Sequence, residues 1–219
     1  MPELLRRPRR AGRARLSQSP PVTLGRLREV RLARRLAWLS LGYMAAEGGI
    51  AVAAAAAAGS VALLGFGLDS VIEATASIII IWRLTGARTP SQAAERSAQI
   101  SVAVTFFLLA PYLAADAVRT LITAEHPGTS WPGIGLSIAS VIVMPLLGTT
   151  KKRIGARLGS VAVSSEGTQN ILCAWMAAAV LAGLAANTGL GWWWLDPAIG
   201  LAIAASAVWE GAEAWRGED

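Results

Sequence analysis

The sequence predicts an all-α membrane protein, a bundle of six transmembrane helices with both termini in the cytoplasm. Of its 219 residues, 54% are hydrophobic and 16% are charged, and the mean hydropathy is +0.48, which is too apolar for a water-soluble globule of this size. Six apolar stretches follow the first 35 residues, each close to the length of about 20 residues that a helix needs to cross a bilayer. Basic residues collect at alternate connections between these stretches, which indicates the orientation.

The first 35 residues are predicted to form a cytoplasmic leader, and residues 36–219 the six-helix domain. The leader contains 11 of the 20 Lys and Arg residues, and it lacks the uncharged apolar core of a cleavable secretion signal. We expect a disordered leader whose second part, with Leu24, Leu27 and Leu32 among five Arg residues, coils into an interfacial helix on anionic lipid. Nucleic acid is not an expected partner, because these basic residues precede an apolar segment instead of covering a folded face.

Six spans are predicted in chain order, at residues 36–58, 60–82, 98–120, 133–148, 158–186 and 190–214. Only Gly59 separates the first two, so we expect a tight antiparallel hairpin there. The first span contains the string GGIAVAAAAAAG, whose small residues permit close contact between helices. The fourth span is the shortest and contains Pro145 near its end.

The positive-inside rule gives the orientation of this bundle. Basic residues follow the second and fourth spans: Arg83, Arg88 and Arg96, then Lys151, Lys152, Arg153 and Arg157. The opposite side carries Arg119. The sequence therefore predicts a multi-pass protein of the cell (inner) membrane with both termini in the cytoplasm.

Several polar side chains lie deep inside the apolar spans. Counting about 1.5 Å per residue, Glu47 lies about 16 Å from the cytoplasmic end of the first span, and Asp69 about 14 Å from the outer end of the second. Glu73, Glu166 and Asn170 lie at similar depths, so all five approach the bilayer midplane. An ionisable group there costs about 2.5 to 3.5 kcal/mol and is usually paired, protonated or next to water.

The spacing of these residues predicts a metal site. Residues four apart share one face of a helix, as do Asp69 and Glu73 in the string DSVIE, and Glu166 and Asn170 in EGTQN. Two such faces together offer four oxygen-bearing side chains to one divalent ion. Glu47 and Gln169 are the expected neighbours of these ligands. The alternative is that the acids are protonated and hydrogen-bonded across helices, which would make them packing residues.

The remaining reactive side chains do not predict an enzyme. One cysteine, Cys173, excludes an intramolecular disulfide, and we expect it to be a packing residue. Asp196 precedes Pro197 and is expected at the N-terminus of the sixth helix. His126 is expected to be an ordinary surface residue. No nucleophile with a paired base is visible, so no catalytic residues are predicted.

Three strings resemble motifs of the cation diffusion facilitator family of divalent-metal exporters. GFGLDSVIEATAS resembles the second-span motif, SVAVSSEGTQNILCA the fifth-span motif, and LDPAIGLAIA the Asp-Pro start of the sixth span. The resemblance covers residues 37–215. It implies six spans with cytoplasmic termini and a tetrahedral metal site. Asp69 and Glu73 would form its first ligand pair, and Glu166 and Asn170 its second.

The chain departs from the family pattern in two ways. Many members have His and Asp where this chain has Glu166 and Asn170, so the implied site is made of oxygen atoms only. Such ligands favour Mn²⁺, Fe²⁺ or Mg²⁺, although Zn²⁺ also accepts carboxylates and is the expected cargo; no resident cofactor is expected. Only five residues follow Ala214, so we expect the short branch of the family, without its C-terminal cytoplasmic domain. A homodimer would then depend on helix contacts.

The implied function is metal efflux driven by proton antiport. A divalent ion would displace protons from Asp69, Glu73 and Glu166, while Asn170 would supply a neutral oxygen. One alternative is a proton-coupled exporter of small organic cations, although the aromatic residues near the acids are few: Tyr43, Phe66 and Trp175. Another is a membrane assembly or regulatory subunit that transports nothing and uses its Arg-rich leader on lipid or a partner.

Overall fold

The computed structural model describes residues 24–85, 92–159 and 161–216, and these residues form six α-helices and no β-strand. The helices are α1 (Leu24–Ala58), α2 (Val61–Thr85), α3 (Gln92–Thr123), α4 (Trp131–Leu158), α5 (Val161–Leu190) and α6 (Leu195–Arg216). The all-α prediction is confirmed for the described residues. The first part of the predicted leader and Arg88 lie outside them.

Within the described ranges, four of the helices contain a segment long and apolar enough to cross a membrane. These segments are Arg31–Ala58, Ala103–Thr123, Trp131–Leu158 and Glu166–Leu190, in α1, α3, α4 and α5. The predicted second and sixth spans correspond to α2 and α6, which carry most of the buried acids described below. The chain thus has the helices of a membrane bundle, while the count of six spans and the cytoplasmic termini stay predictions.

The helices pack in neighbouring pairs around α2. Helix α1 packs on α2, α3 on α6, and α4 on α5, while α2 also contacts α3, α5 and α6. Gly59 and Gly159 end α1 and α4 with φ angles of +67° and +64°, a left-handed conformation that costs glycine little. These two glycines explain why α1 and α2, and likewise α4 and α5, are joined by such short turns.

Two of the differences from the predicted helix boundaries involve basic residues. Helix α4 was expected to end at Gly148, but it continues to Leu158, so Lys151, Lys152, Arg153 and Arg157 lie in its last turns and not in a connection. Lysine and arginine are good helix formers, and a cation near a helix C-terminus is favoured. Helix α1 begins at Leu24 and runs unbroken past Arg35, because the leucine, alanine and arginine residues of this stretch also favour helix.

Glycine residues allow two pairs of helices to approach closely. A Cβ added to Gly67 of α2 would lie 2.8 Å from the Cβ of Ala51 in α1, and one added to Gly148 of α4 would lie 2.6 Å from the carbonyl oxygen of Gly167 in α5. Small residues therefore pack the backbones together, as the composition of the first span predicts. Both close contacts lie next to the buried polar residues.

Candidate functional site

Three carboxylates from two helices converge inside the bundle. Asp69 and Glu73 project from one face of α2, and α6 brings Glu210 beside them, so that one oxygen from each lies within 4.8 Å of the others. Asp69 is 3% exposed and Glu73 6% exposed, and Glu210 is half-buried. The structure thus places the predicted α2 pair together and adds a residue from α6.

These carboxylates have fewer hydrogen-bond donors than their oxygens can accept. Gln169 of α5 donates from Nε2 to Oε1 of Glu73 at 2.5 Å and to Oε2 of Glu210 at 3.2 Å. Within the described part of the chain, Oδ2 of Asp69 and Oε2 of Glu73 are buried without a partner. Buried carboxylate oxygens are unfavourable unless a cation or a proton neutralises them. We refer to Asp69, Glu73 and Glu210 as the carboxylate cluster; it is chemically suited to hold a hard divalent cation.

The α5 pair contacts a lysine instead of the carboxylate cluster. The Nζ of Lys151 lies 3.1 Å from Oε2 of Glu166 and donates a hydrogen bond to Oδ1 of Asn170 at 3.3 Å. Asn170 also donates from Nδ2 to the Sδ of Met144 at 3.2 Å. The contacts of Glu166 and Asn170 in the structure are thus with Lys151 and Met144, and a shared role for all four predicted residues in binding metal stays a prediction.

Glu47 is 1% exposed and joins three helices through hydroxyl groups. Its carboxylate accepts hydrogen bonds from Ser70 of α2 at 3.1 Å and from Ser140 of α4. Ser140 shares a further hydrogen bond of 3.0 Å with the hydroxyl of Tyr43. Gln169 and Glu47 were both predicted to lie next to the ligands. Gln169 contacts Glu73 directly, whereas Glu47 contacts Ser70, the residue after Asp69 in α2.

Asp196 stabilises a different helix from the one in which it lies. It is in the first turn of α6, as predicted, but its buried carboxylate accepts hydrogen bonds from the Ser60 hydroxyl at 2.5 Å and the Val61 backbone N–H at 2.9 Å. These groups belong to the start of α2, so Asp196 caps α2 from a neighbouring helix. His126 is exposed and stacks on Trp193 with ring centroids 4.9 Å apart.

Two residues of this region were not among the predicted ones. Glu210 lies four residues from the end of the predicted sixth span, about 6 Å into it, so the midplane depth that singled out the other acids did not select it. Lys151 follows Ser140, Met144 and Gly148 at helical spacing, and these residues form the buried face of α4. Extending the fourth helix through its basic end would have placed Lys151 on that face.

Comparison with known proteins shows similarity to one membrane-protein family and to one curated transporter. Residues 37–214 match the family described as cation efflux transmembrane domain. A curated protein of Synechocystis sp., named as an uncharacterized transporter, is 29% identical over 194 residues. This alignment covers 85% of the present chain and 63% of that relative.

Proposed function

Because the chain belongs to the cation efflux transmembrane family, the cation diffusion facilitators, we propose that it carries a divalent metal cation across a membrane. The observation that carries the proposal is the carboxylate cluster, with buried, unpartnered oxygens on Asp69 and Glu73. The family match over residues 37–214 and the word transporter in the name of the Synechocystis protein support it.

The cluster is nearly compact enough to bind one metal ion. Zinc–oxygen distances of about 2.0 to 2.2 Å in a tetrahedral site place neighbouring oxygens about 3.5 Å apart. The three oxygens lie within 4.8 Å of one another, so small side-chain movements would close them around an ion. We propose that Asp69 and Glu73 bind the ion throughout. The remaining ligands would come from Glu210, or from Glu166 and Asn170.

Proton exchange follows from the charges of the same groups. Carboxylates this close repel each other when they are all ionised, so either a divalent ion or protons must neutralise them. Protons and metal then compete for the same oxygens on the two sides of the membrane. Movement of the helices around a fixed site would expose it alternately. We propose efflux across the inner membrane of the cell, driven by proton entry.

The oxygen-only ligands leave several divalent ions as candidate substrates. Zn²⁺ accepts carboxylates and is the proposed cargo, and Mn²⁺ and Fe²⁺ suit the same ligands. At the membrane surface, the exposed residues Arg28, Arg31, Arg34 and Arg35 of α1 are proposed to contact anionic lipid. A homodimer would be formed by helix contacts.

Reconstituted transport tests this proposal. The purified chain in liposomes with an imposed pH gradient should move Zn²⁺, Mn²⁺ or Fe²⁺, detected by a trapped metal indicator. Asp69→Asn should reduce the flux at least about tenfold, because it removes one ligand charge while keeping the side-chain volume. Asp116→Asn is the matched control, since Asp116 is a partly exposed acid of α3. Unchanged flux in Asp69→Asn, or transport of a small organic cation in place of metal, would contradict the proposal.

A further inference from the structure

We propose that the positively charged side chain of Lys151 competes with the transported metal ion for Glu166 and Asn170. This competition lowers the affinity of the site for that ion. This inference rests on the proposed function. It explains why the described arrangement pairs the α5 residues with a lysine, while α2 and α6 supply the carboxylate cluster.

Lys151 differs from the basic residues that follow it. Its side chain is 2% exposed, whereas Lys152 and Arg153 are exposed. Lysines near the end of a membrane helix usually extend towards water and leave only their stem against apolar surface. A lysine that turns inward needs a compensating anion, and Glu166 supplies it at 3.1 Å.

The packing of α4 on α5 holds this contact in place. Gly148 lies one turn before Lys151, and Gly167 follows Glu166 directly. A Cβ added to Gly167 would lie 2.7 Å from the carbonyl oxygen of Gly148. The two backbones therefore approach closely, and across this contact Lys151 reaches Glu166 and Asn170 of α5.

The contacts of Glu166 provide a route for exchange. Lys151 contacts Oε2 of Glu166, while Oε1 is buried with no hydrogen-bond partner among the described residues. In the proposed exchange, a divalent ion held by Asp69 and Glu73 approaches this second oxygen while Lys151 still contacts the first. Two cations then face each other across one carboxylate in a region of low dielectric, where their repulsion is strong. Either Lys151 withdraws or the ion leaves.

Such competition suits a transport site. A site made of carboxylates alone would bind a divalent ion tightly and release it slowly, whereas conduction requires binding weak enough to allow departure. A lysine that returns to Glu166 and Asn170 replaces one of the two charges of the departing ion, and protons on Asp69 and Glu73 replace the other. The expected consequence is that neutralising Lys151 tightens binding and slows transport.

The test compares metal affinity in purified full-length variants by competition with a fluorescent zinc indicator. Lys151→Met should bind Zn²⁺ at least about tenfold more tightly than the natural chain, because one positive charge near the ion is removed. Its steady-state transport in liposomes should be slower. Lys152→Met is the matched control, because Lys152 is the next residue and is exposed, so this variant loses the same charge at the protein surface. The Zn²⁺ affinity of Lys152→Met should stay within about twofold of the natural chain.

Two further variants separate charge from packing and guard against failure to fold. Lys151→Gln is neutral but can still donate hydrogen bonds to Glu166 and Asn170, so it should fold and show the same tightening. Lys151→Arg keeps the charge and should keep the natural affinity. Equal or weaker binding in the neutral variants, or an equal change in all three, would overturn the role of Lys151. If the natural chain itself bound and moved no divalent ion, the proposed function would fail, and this inference with it.

Discussion

The surroundings of Glu73 show why this region needs a cation. It is the central residue of α2, and Asp69 lies one turn away on the same face. Gln169 donates a hydrogen bond to one oxygen of Glu73, but an amide neutralises no charge. The second oxygen is buried without a partner in the described part of the chain. Charge balance must therefore come from a metal ion or from protons.

Glu210 is predicted to be a metal ligand that acts together with this pair. Glu210→Gln keeps the volume and the contact with Gln169 but removes one negative charge, so Zn²⁺ affinity should fall about tenfold or more. Glu213→Gln is the matched control, because Glu213 is exposed and lies three residues further along α6. Calorimetric titration of both variants measures the difference. Equal affinities in the two would remove Glu210 from the site.

Close contacts between helices determine which polar helix faces meet. Helices α4 and α5 approach each other at Gly148 and Gly167, within one turn of Lys151, Glu166 and Asn170. Because lipid tails are as apolar as the helices, van der Waals packing of small residues is a main source of helix association in a membrane. A side chain at this contact should therefore disturb both stability and the site.

Gly148→Ala is predicted to destabilise the bundle. The added Cβ would lie 2.6 Å from the carbonyl oxygen of Gly167, which forces α4 and α5 apart. Overpacking of this kind costs about 1 to 3 kcal/mol, which corresponds to a fall of roughly 2 to 10 °C in the unfolding midpoint. Gly135→Ala in the same helix is the control, because nothing lies within 4 Å of its added Cβ. Similar midpoints for both variants would show that α4 and α5 can adjust at no cost.

Asp196 is predicted to act on the start of α2 and not on the proposed metal site. Asp196→Ala leaves the Ser60 hydroxyl and the Val61 N–H without their buried acceptor, which should cost about 1 to 3 kcal/mol of stability. Zinc affinity should change by less than about twofold, because Asp69 lies about 12 Å further along α2. Thermal unfolding and zinc titration measure the two effects. A large loss of affinity with unchanged stability would contradict this assignment.

Among the described residues of the molecule as a whole, several charged and polar side chains are buried while many large apolar side chains are exposed. Glu47, Asp69, Lys151 and Asn170 are buried. Large apolar side chains are exposed along the helices, among them Leu108, Ile142, Leu146 and Trp175. This distribution suits a lipid environment, where exposed apolar side chains cost nothing and each buried charge requires a function or a partner.

Metal binding should stabilise the whole bundle, because the proposed ligands come from different helices. At a free Zn²⁺ concentration of 100 times Kd, the expected gain is about 2.7 kcal/mol, which appears as a higher unfolding midpoint. A chelator should reverse it, and Asp69→Asn should not show it. An unchanged midpoint at saturating metal would favour an assembly subunit over a transporter.

Local features of the sequence determined the helices and part of the site. Apolar stretches of membrane length, the first of them ended by Gly59, indicate helices because backbone conformation and burial of apolar surface depend on neighbouring residues. The spacing of Asp69 and Glu73 places them on one face in any α-helix. These predictions need no knowledge of which helices meet.

Only the tertiary structure decided the partners of the buried charges. Lys151 meets Glu166, Glu210 meets Glu73, and Asp196 caps the start of α2, because particular helix faces pack together. Two of these contacts join residues more than a hundred positions apart, and helical periodicity relates only residues within one helix. An electrostatic contact also depends on a few ångströms of separation, which the close approach of glycine-containing backbones sets.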